Sequence, residues 1–177
     1  VGGQRGHAVG LDGFASLEAV LGDLAGAGYE AGSAAGPVPD AAALVAALPV
    51  AVGQDGQPRV MLLTSRGTKR WVIPKGWPME GKTLSAAAAT EAWEEAGVEG
   101  QVQDAELGRY RYHKEQDRGY SVPVEVRVFL LDAERLRRDF PEAKQRKRRW
   151  FPPAEAARLV AEPGLQQILL ALPPAGG

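Results

Sequence analysis

Three glutamates, Glu91, Glu94 and Glu95, fall in a stretch from 84 to 96 that is rich in alanine and holds neither glycine nor proline. Spacings of three and four residues place all three carboxylates on one face of a helix. There Glu91 and Glu95 repel one another, and all three sit near the negative end of the helix dipole. The positions one turn back carry Ala87 and Thr90, so no cation of this helix offsets them. As a plain solvated face the arrangement costs about a few tenths of a kcal/mol per like-charge pair. A divalent cation would turn that repulsion into ligation, since Mg²⁺ is held by a few carboxylates together with substrate phosphates. Spacing alone leaves both readings open.

The elements around these residues decide what they face. Leu44 to Val52 and Val60 to Thr64 are apolar runs separated by Gln54-Asp55-Gly56-Gln57, the pattern of two strands joined by an Asp-Gly turn. Trp71-Val72-Ile73 predicts a short strand ended by Pro74, and Gly76 then allows the backbone to come close to a ligand. Thr83 is placed to cap the helix of residues 84–96, and Gly97 to end it in the left-handed conformation. Val98 to Tyr112 and Ser121 to Leu131 predict longer strands, with a last one at Trp150-Phe151. Helices are expected from Pro153 to about Ala161 and from Leu165 to Leu172. Strands enclosing one central helix, with helices at the end, predict an α+β sandwich. The first forty residues differ in kind. They hold ten of the 22 glycines around one short helical pattern (Phe14, Leu17, Val20, Leu21, Leu24). Residues 1–40 are therefore expected to form a loosely attached extension and residues 41–177 the domain.

Composition removes several function classes. The 177 residues include no cysteine and only two histidines, His7 and His113. Disulfides, thiolate metal sites, cysteine nucleophiles and a histidine-rich metal centre are excluded. No run of about 18 apolar residues is present, so no membrane helix is expected. The start Val-Gly-Gly-Gln-Arg lacks the pattern of a signal peptide, and a cytoplasmic protein is expected. A net charge of −1 conceals a basic run at 135–149, with eight Lys or Arg residues against Asp139 and Glu142. Such a run is a solvated face or an anion site. No nucleic-acid motif accompanies it, so a small phosphorylated partner is favoured over nucleic acid. Oligomeric state is left open.

Around the glutamates the chain resembles the Nudix hydrolases. Their box reads Gly, five residues, Glu, seven residues, then Arg-Glu-apolar-any-Glu-Glu-any-Gly-apolar. Here Gly76 is followed after five residues by Lys82, and after seven more by Thr90-Glu91-Ala92-Trp93-Glu94-Glu95-Ala96-Gly97-Val98. Both glycines and all three carboxylates of the second half match, while Lys82 and Thr90 replace the box Glu and Arg. The resemblance implies a Nudix-type α/β/α sandwich around a mixed sheet. It implies Mg²⁺ or Mn²⁺ held by Glu91 and Glu95, with Glu94 as general base or a further ligand. Such parts suit hydrolysis of a phosphoanhydride, where metal neutralises phosphate oxygens and a carboxylate takes a proton from the attacking water. Ser65-Arg66, Arg70 to Pro78 and Lys147 to Phe151 look like the subgroup acting on diphosphoinositol polyphosphates and dinucleoside polyphosphates. Carried over by position, Ser65, Arg66 and Lys147 would contact substrate phosphates, with Arg70, Lys75 and Gly76 added from charge and placement. The replacement of the box Glu and Arg keeps a second possibility open, a catalytically weak domain that binds a nucleotide or phosphate ligand.

Gly76 to Thr83 also satisfies the P-loop pattern, which would make the chain a nucleotide-binding protein. Pro78 supplies no backbone N–H to a phosphate cradle and Glu80 sets a negative charge beside it, so this is the weakest of the three alternatives. Among isolated residues, Glu125 is a possible further ligand on a strand, although an outward charge is the simpler expectation. Tyr110, Tyr112 and His113 are placed near a substrate mouth.

Overall fold

In a computed structural model, residues 8–10, 42–115 and 117–172 are described. The helical pattern expected within 14–24 lies outside them. The sheet is built on β2 (Ala42–Val52), in which every residue from Leu44 to Val52 is buried. A strand buried on both sides needs a layer on each face, and apolar side chains alternate between the two. Leu44, Ala46, Leu48 and Val50 join one core with Val126, Val128, Leu165 and Leu169, while Val45 and Ala47 join another with Met61, Leu63, Ala88 and Ala92.

β2 runs antiparallel to β3 (Pro58–Thr64) and parallel to β7 (Ser121–Arg137). The sheet is therefore mixed, as expected. β4 (Trp71–Val72) and β8 (Arg148–Phe151) both pair with β3, and β5 (Lys75–Gly76) pairs with β2. β6 (Val98–Glu115) forms a long antiparallel ladder with β7, interrupted by bulges. β1 (Ala8–Gly10), inside the expected extension, pairs with Arg135–Arg137 at the end of β7.

The helix carrying the three glutamates, α1 (Leu84–Ala96), covers one face. Ala87, Ala88, Ala92 and Ala96 are its fully buried residues, small enough to bring the helix axis close to the sheet. The Thr83 hydroxyl accepts from Ala86 N–H at 3.1 Å, and Gly97 at φ 65° closes the far end, as the sequence predicts. α2 (Pro153–Leu159) and α3 (Pro163–Leu170) cover the other face, completing an α/β/α sandwich. No helix among the described residues is long and apolar enough to cross a membrane.

The differences from expectation are at element ends. Both long strands extend beyond their apolar patterns, to Glu115 and Arg137, because backbone pairing needs no apolar side chain. The first C-terminal helix stops at Leu159, since Val160 turns extended and bridges to Trp71. The next helix begins at Pro163, whose fixed φ suits a first helical turn. The P-loop alternative lacks its architecture. Gly76 lies in a sheet strand, and β6, which follows the helix, pairs antiparallel with β7 instead of continuing an alternation of parallel strands.

Candidate active site

α1 presents Glu91 and Glu95, one turn apart, to a cavity of about 600 Å³. The opposite wall is the β5 backbone. Pairing of Gly76 with Val45 and of Lys75 with Ala46 fixes that strand against the sheet. A β-carbon at Gly76 would meet the Glu91 carboxylate, the movable end of a flexible side chain, so a larger residue would displace that carboxylate from the β5 wall. The Lys75 backbone N–H donates to Glu95 Oε2 at 3.2 Å.

A buried arginine completes the enclosure. Arg146, its side chain 8% exposed, sets Nη2 at 3.3 Å from Glu95 Oε1 and 3.3 Å from Glu142 Oε1. Its Nη1 donates to the Thr64 carbonyl at 3.2 Å, and its Nε is buried without a hydrogen-bond partner. Two backbone-directed bonds hold this segment to the end of β3: Thr64 N–H to Lys147 O and Lys147 N–H to Thr64 Oγ1, both 2.9 Å. Arg66 reaches Glu142 at 3.4 Å. On the far wall Lys75 lies over Tyr112 and Lys114 over Trp77, which is 55% exposed at the mouth.

The electrostatics of the two helix carboxylates match their setting. Burial pushes Glu95 up to about 7 against the opposing pull of Arg146 and Lys75. Glu91 is also raised, by burial first and then by Glu94 and Glu142. Burial lowers Lys75, against the pull of Glu95 and Glu162. Two carboxylates destabilised as anions and facing one cavity are what a divalent cation relieves. No group of three His, Asp or Glu side chains among the described residues forms a ready-made cage. Mg²⁺ does not require one, because it commonly keeps waters and takes one or two carboxylates plus substrate phosphates. Glu91 and Glu95, with the space that Gly76 leaves, therefore fit a divalent ion.

Six of the residues expected from sequence converge on this cavity: Ser65, Arg66, Lys75, Gly76, Glu91 and Glu95. Glu94 lies beside it, near enough for its charge to raise Glu91 but not among the lining residues, and its carbonyl accepts from Glu142 N–H at 3.0 Å. Arg70 is used within its own turn, where its N–H donates to Ser65 Oγ and its Nε to Thr68 Oγ1. Lys147 lines a neighbouring cavity. Glu125 lies on β7 outside the cavity, ion-paired with Arg109 and Arg111 and only 12% exposed, a paired strand charge and not the outward one expected. Sequence reasoning did not single out Arg146 or Glu142. Their only signal was the basic run, which does not say which of its members is buried.

The two residues that depart from the box touch each other. Lys82 Nζ donates to Thr90 Oγ1 at 2.7 Å, and the Thr90 hydroxyl donates to the Ala86 carbonyl at 3.0 Å. The loop that enters α1 is thus tied to the middle of the helix.

Comparison with known proteins agrees with the fold. A family model described as NUDIX domain matches residues 43–172. Nudix hydrolase 12, mitochondrial, of Arabidopsis thaliana is 30% identical over 120 residues, 62% of this chain and 56% of that protein. Diphosphoinositol polyphosphate phosphohydrolase 3-alpha of Mus musculus is 30% identical over 105 residues, 57% of this chain and 58% of that protein. The chain thus spans little more than half the length of these curated relatives. A crystal structure of a C. elegans Ap4A hydrolase binary complex has a TM-score of 0.52 at 20% identity, covering 73% of this chain and 96% of that one. That likeness is one of fold.

Proposed function

The chain belongs to the Nudix family, and from that premise we propose that it hydrolyses a phosphoanhydride bond in a diphosphoinositol polyphosphate or a dinucleoside polyphosphate, using Mg²⁺ or Mn²⁺. The observation that carries this is the cavity in which Glu91 and Glu95 face the β5 backbone, with Arg66, Lys75 and Arg146 in the same walls. Carboxylates to hold a cation beside cations to hold an anion make a site for a metal–phosphate complex. When bound, the divalent ion supplies charge neutralisation and acidifies the attacking water. Glu91 and Glu95 would hold it, and Glu94, beside the cavity, would take a proton from the attacking water. Ser65, Arg66, Lys75 and the Gly76 backbone bind the phosphates nearest the bond that is cut, with Arg70 and Lys147 further out. Arg146 opposes the rise that burial imposes on Glu95 and braces its carboxylate at the cavity wall.

The position of Glu94 beside the cavity favours a second reading, a domain that binds phosphate ligands with little turnover. Hydrolysis with Mg²⁺ separates the two when products are identified from a diphosphoinositol polyphosphate, diadenosine polyphosphates, ADP-ribose and ATP. Metal-dependent turnover that falls about a hundredfold or more in Glu94→Gln and in Glu95→Gln supports the hydrolase. Thermal stabilisation by these ligands without turnover, in folded protein, supports the binding domain.

A further inference from the structure

The helix that carries the glutamates lacks a cation at the end where its charges lie. Glu91, Glu94 and Glu95 stand in the last two turns of α1, where the helix dipole is also negative, and no basic residue of α1 offsets them. A cation reaches that end from β8. Arg148 Nη1 donates to the carbonyl of Ala96, the last residue of the helix, at 2.6 Å, and its guanidinium lies over the Phe140 ring at 4.9 Å. Among the described residues Arg148 stands in no ion pair, so the helix terminus and the ring face answer its charge. Burial lowers the guanidinium from its ordinary value, so a cation is kept here against desolvation.

The chain leading into β8 grips the same helix end through its backbone. Glu142 N–H donates to the Glu94 carbonyl at 3.0 Å and Arg137 N–H to the Gly97 carbonyl at 2.8 Å. With Gly97 N–H on the Trp93 carbonyl at 3.0 Å, carbonyls that a helix leaves orphaned at its C-terminus are bound at Trp93, Glu94 and Ala96. The fit is close, since a β-carbon at Gly97 would meet the Phe140 ring and, at 2.8 Å, Arg148 Nη1. Arg148 is itself held in β8, paired with Leu63 of β3. β3 joins β2, and β2 also pairs with the β5 wall of the cavity, whose Lys75 N–H holds Glu95. One sheet therefore fixes both the end of α1 and the wall that its glutamates face.

We propose that Arg148 is a positioning residue for the glutamates: by tying the Ala96 carbonyl to β8 it sets how Glu91 and Glu95 face the β5 wall, and with that their grip on a divalent cation. It rests on the phosphoanhydride hydrolase reading and deepens it. Arg148 does not line the cavity and acts through the helix backbone. The sign of its effect separates this role from plain electrostatics. A cation near the site repels a divalent ion, so by charge alone its removal would strengthen metal binding. By position its removal weakens metal binding, because groups that orient metal ligands are worth about 10-fold to 100-fold in affinity.

The test is calorimetric titration of the full chain with Mn²⁺, for wild type, Arg148→Met and Arg148→Lys, each shown to be folded by urea unfolding. Methionine keeps an unbranched stem without donor or charge, and lysine keeps a cation within reach of the Ala96 carbonyl. Arg148→Met should bind Mn²⁺ about tenfold more weakly, and Arg148→Lys should recover most of that loss. With saturating Mg²⁺ and a diphosphoinositol polyphosphate or a diadenosine polyphosphate as substrate, kcat should fall about tenfold in Arg148→Met while KM moves less than about twofold. Unchanged or tighter Mn²⁺ binding in Arg148→Met overturns the proposal, whatever the variant costs in stability. Should that variant not fold, Phe140→Leu carries the test, since Phe140 is only half-buried. Loss of the ring beneath the guanidinium should weaken Mn²⁺ binding about threefold, and no change overturns the proposal. Turnover by wild type beside Mn²⁺ binding that ignores Arg148 keeps the hydrolase reading and overturns this inference alone. Absence of turnover on every substrate, with Mn²⁺ binding that depends on Arg148, would instead remove the hydrolase reading and support the positioning role.

Discussion

The Lys82–Thr90 contact allows the family's Glu and Arg to be restored one at a time and together. Thr90→Arg alone removes a bond from a charged donor at 2.7 Å, worth about 1 kcal/mol at an exposed position. It also sets a guanidinium beside Lys82, which costs about 1 kcal/mol more in a water-like dielectric. Better helix propensity and a new i,i+4 partner in Glu94 return about half a kcal/mol. Lys82→Glu alone loses the same bond and turns a carboxylate toward an already acidic helix face, again about 1 to 1.5 kcal/mol. The double variant recreates an ion pair of opposite polarity and should lie within about 0.5 kcal/mol of wild type. The coupling energy of the cycle is then about 2 kcal/mol. For a domain of this size, each single variant should melt about 5 °C below wild type and the double within about 2 °C. Thermal unfolding of all four proteins, paired with urea titrations, measures it. Additive losses, with the double variant near 10 °C below wild type, would show that the two positions are not coupled and that their shared departure from the box is coincidental.

Other perturbations test separate parts of the structure. Gly97→Ala forces a β-carbon onto a residue at φ 65°, against the Phe140 ring and 2.9 Å from the Arg137 carbonyl; about 2 kcal/mol should be lost in urea unfolding. Arg146→Ala leaves Glu95 and Glu142 without their shared cation, and about 3 kcal/mol or more should be lost at pH 8 in the same measurement. The Glu95 carboxyl gives metal-free protein a pH dependence. With a folded pKa of about 7 above an ordinary 4.5, the folded state binds the extra proton, so stability is full below about pH 4.5 and falls as pH rises through 7. In EDTA the wild type should lose about 3 kcal/mol relative to Glu95→Gln between pH 5 and 8, and parallel curves for the two proteins would refute this.

How much of this was legible in the sequence follows from which interactions are local. The helix from Leu84 to Ala96 was readable to the residue, because Thr83 and Gly97 act on their own neighbours and the alanines mark a face that must lie close to a sheet. The same locality put Glu91 and Glu95 on one turn. What they face was less legible, since the Gly76 wall depends on β5, a two-residue strand with no periodicity of its own, held by β2 some thirty residues earlier in the chain. Arg146 is the clearest case. It sits among seven other cations between 135 and 149, and only its bond to the Thr64 carbonyl, far away in sequence, draws it behind the sheet edge and beside Glu95. Lys144 and Lys147 carry the same formal charge and stay exposed. A charge buried and compensated orients its neighbours, whereas one left uncompensated at a cavity wall attracts ligand. Composition is blind to that distinction, and the ion pairs of the folded chain single out of one basic run the arginine that braces Glu95 and Glu142.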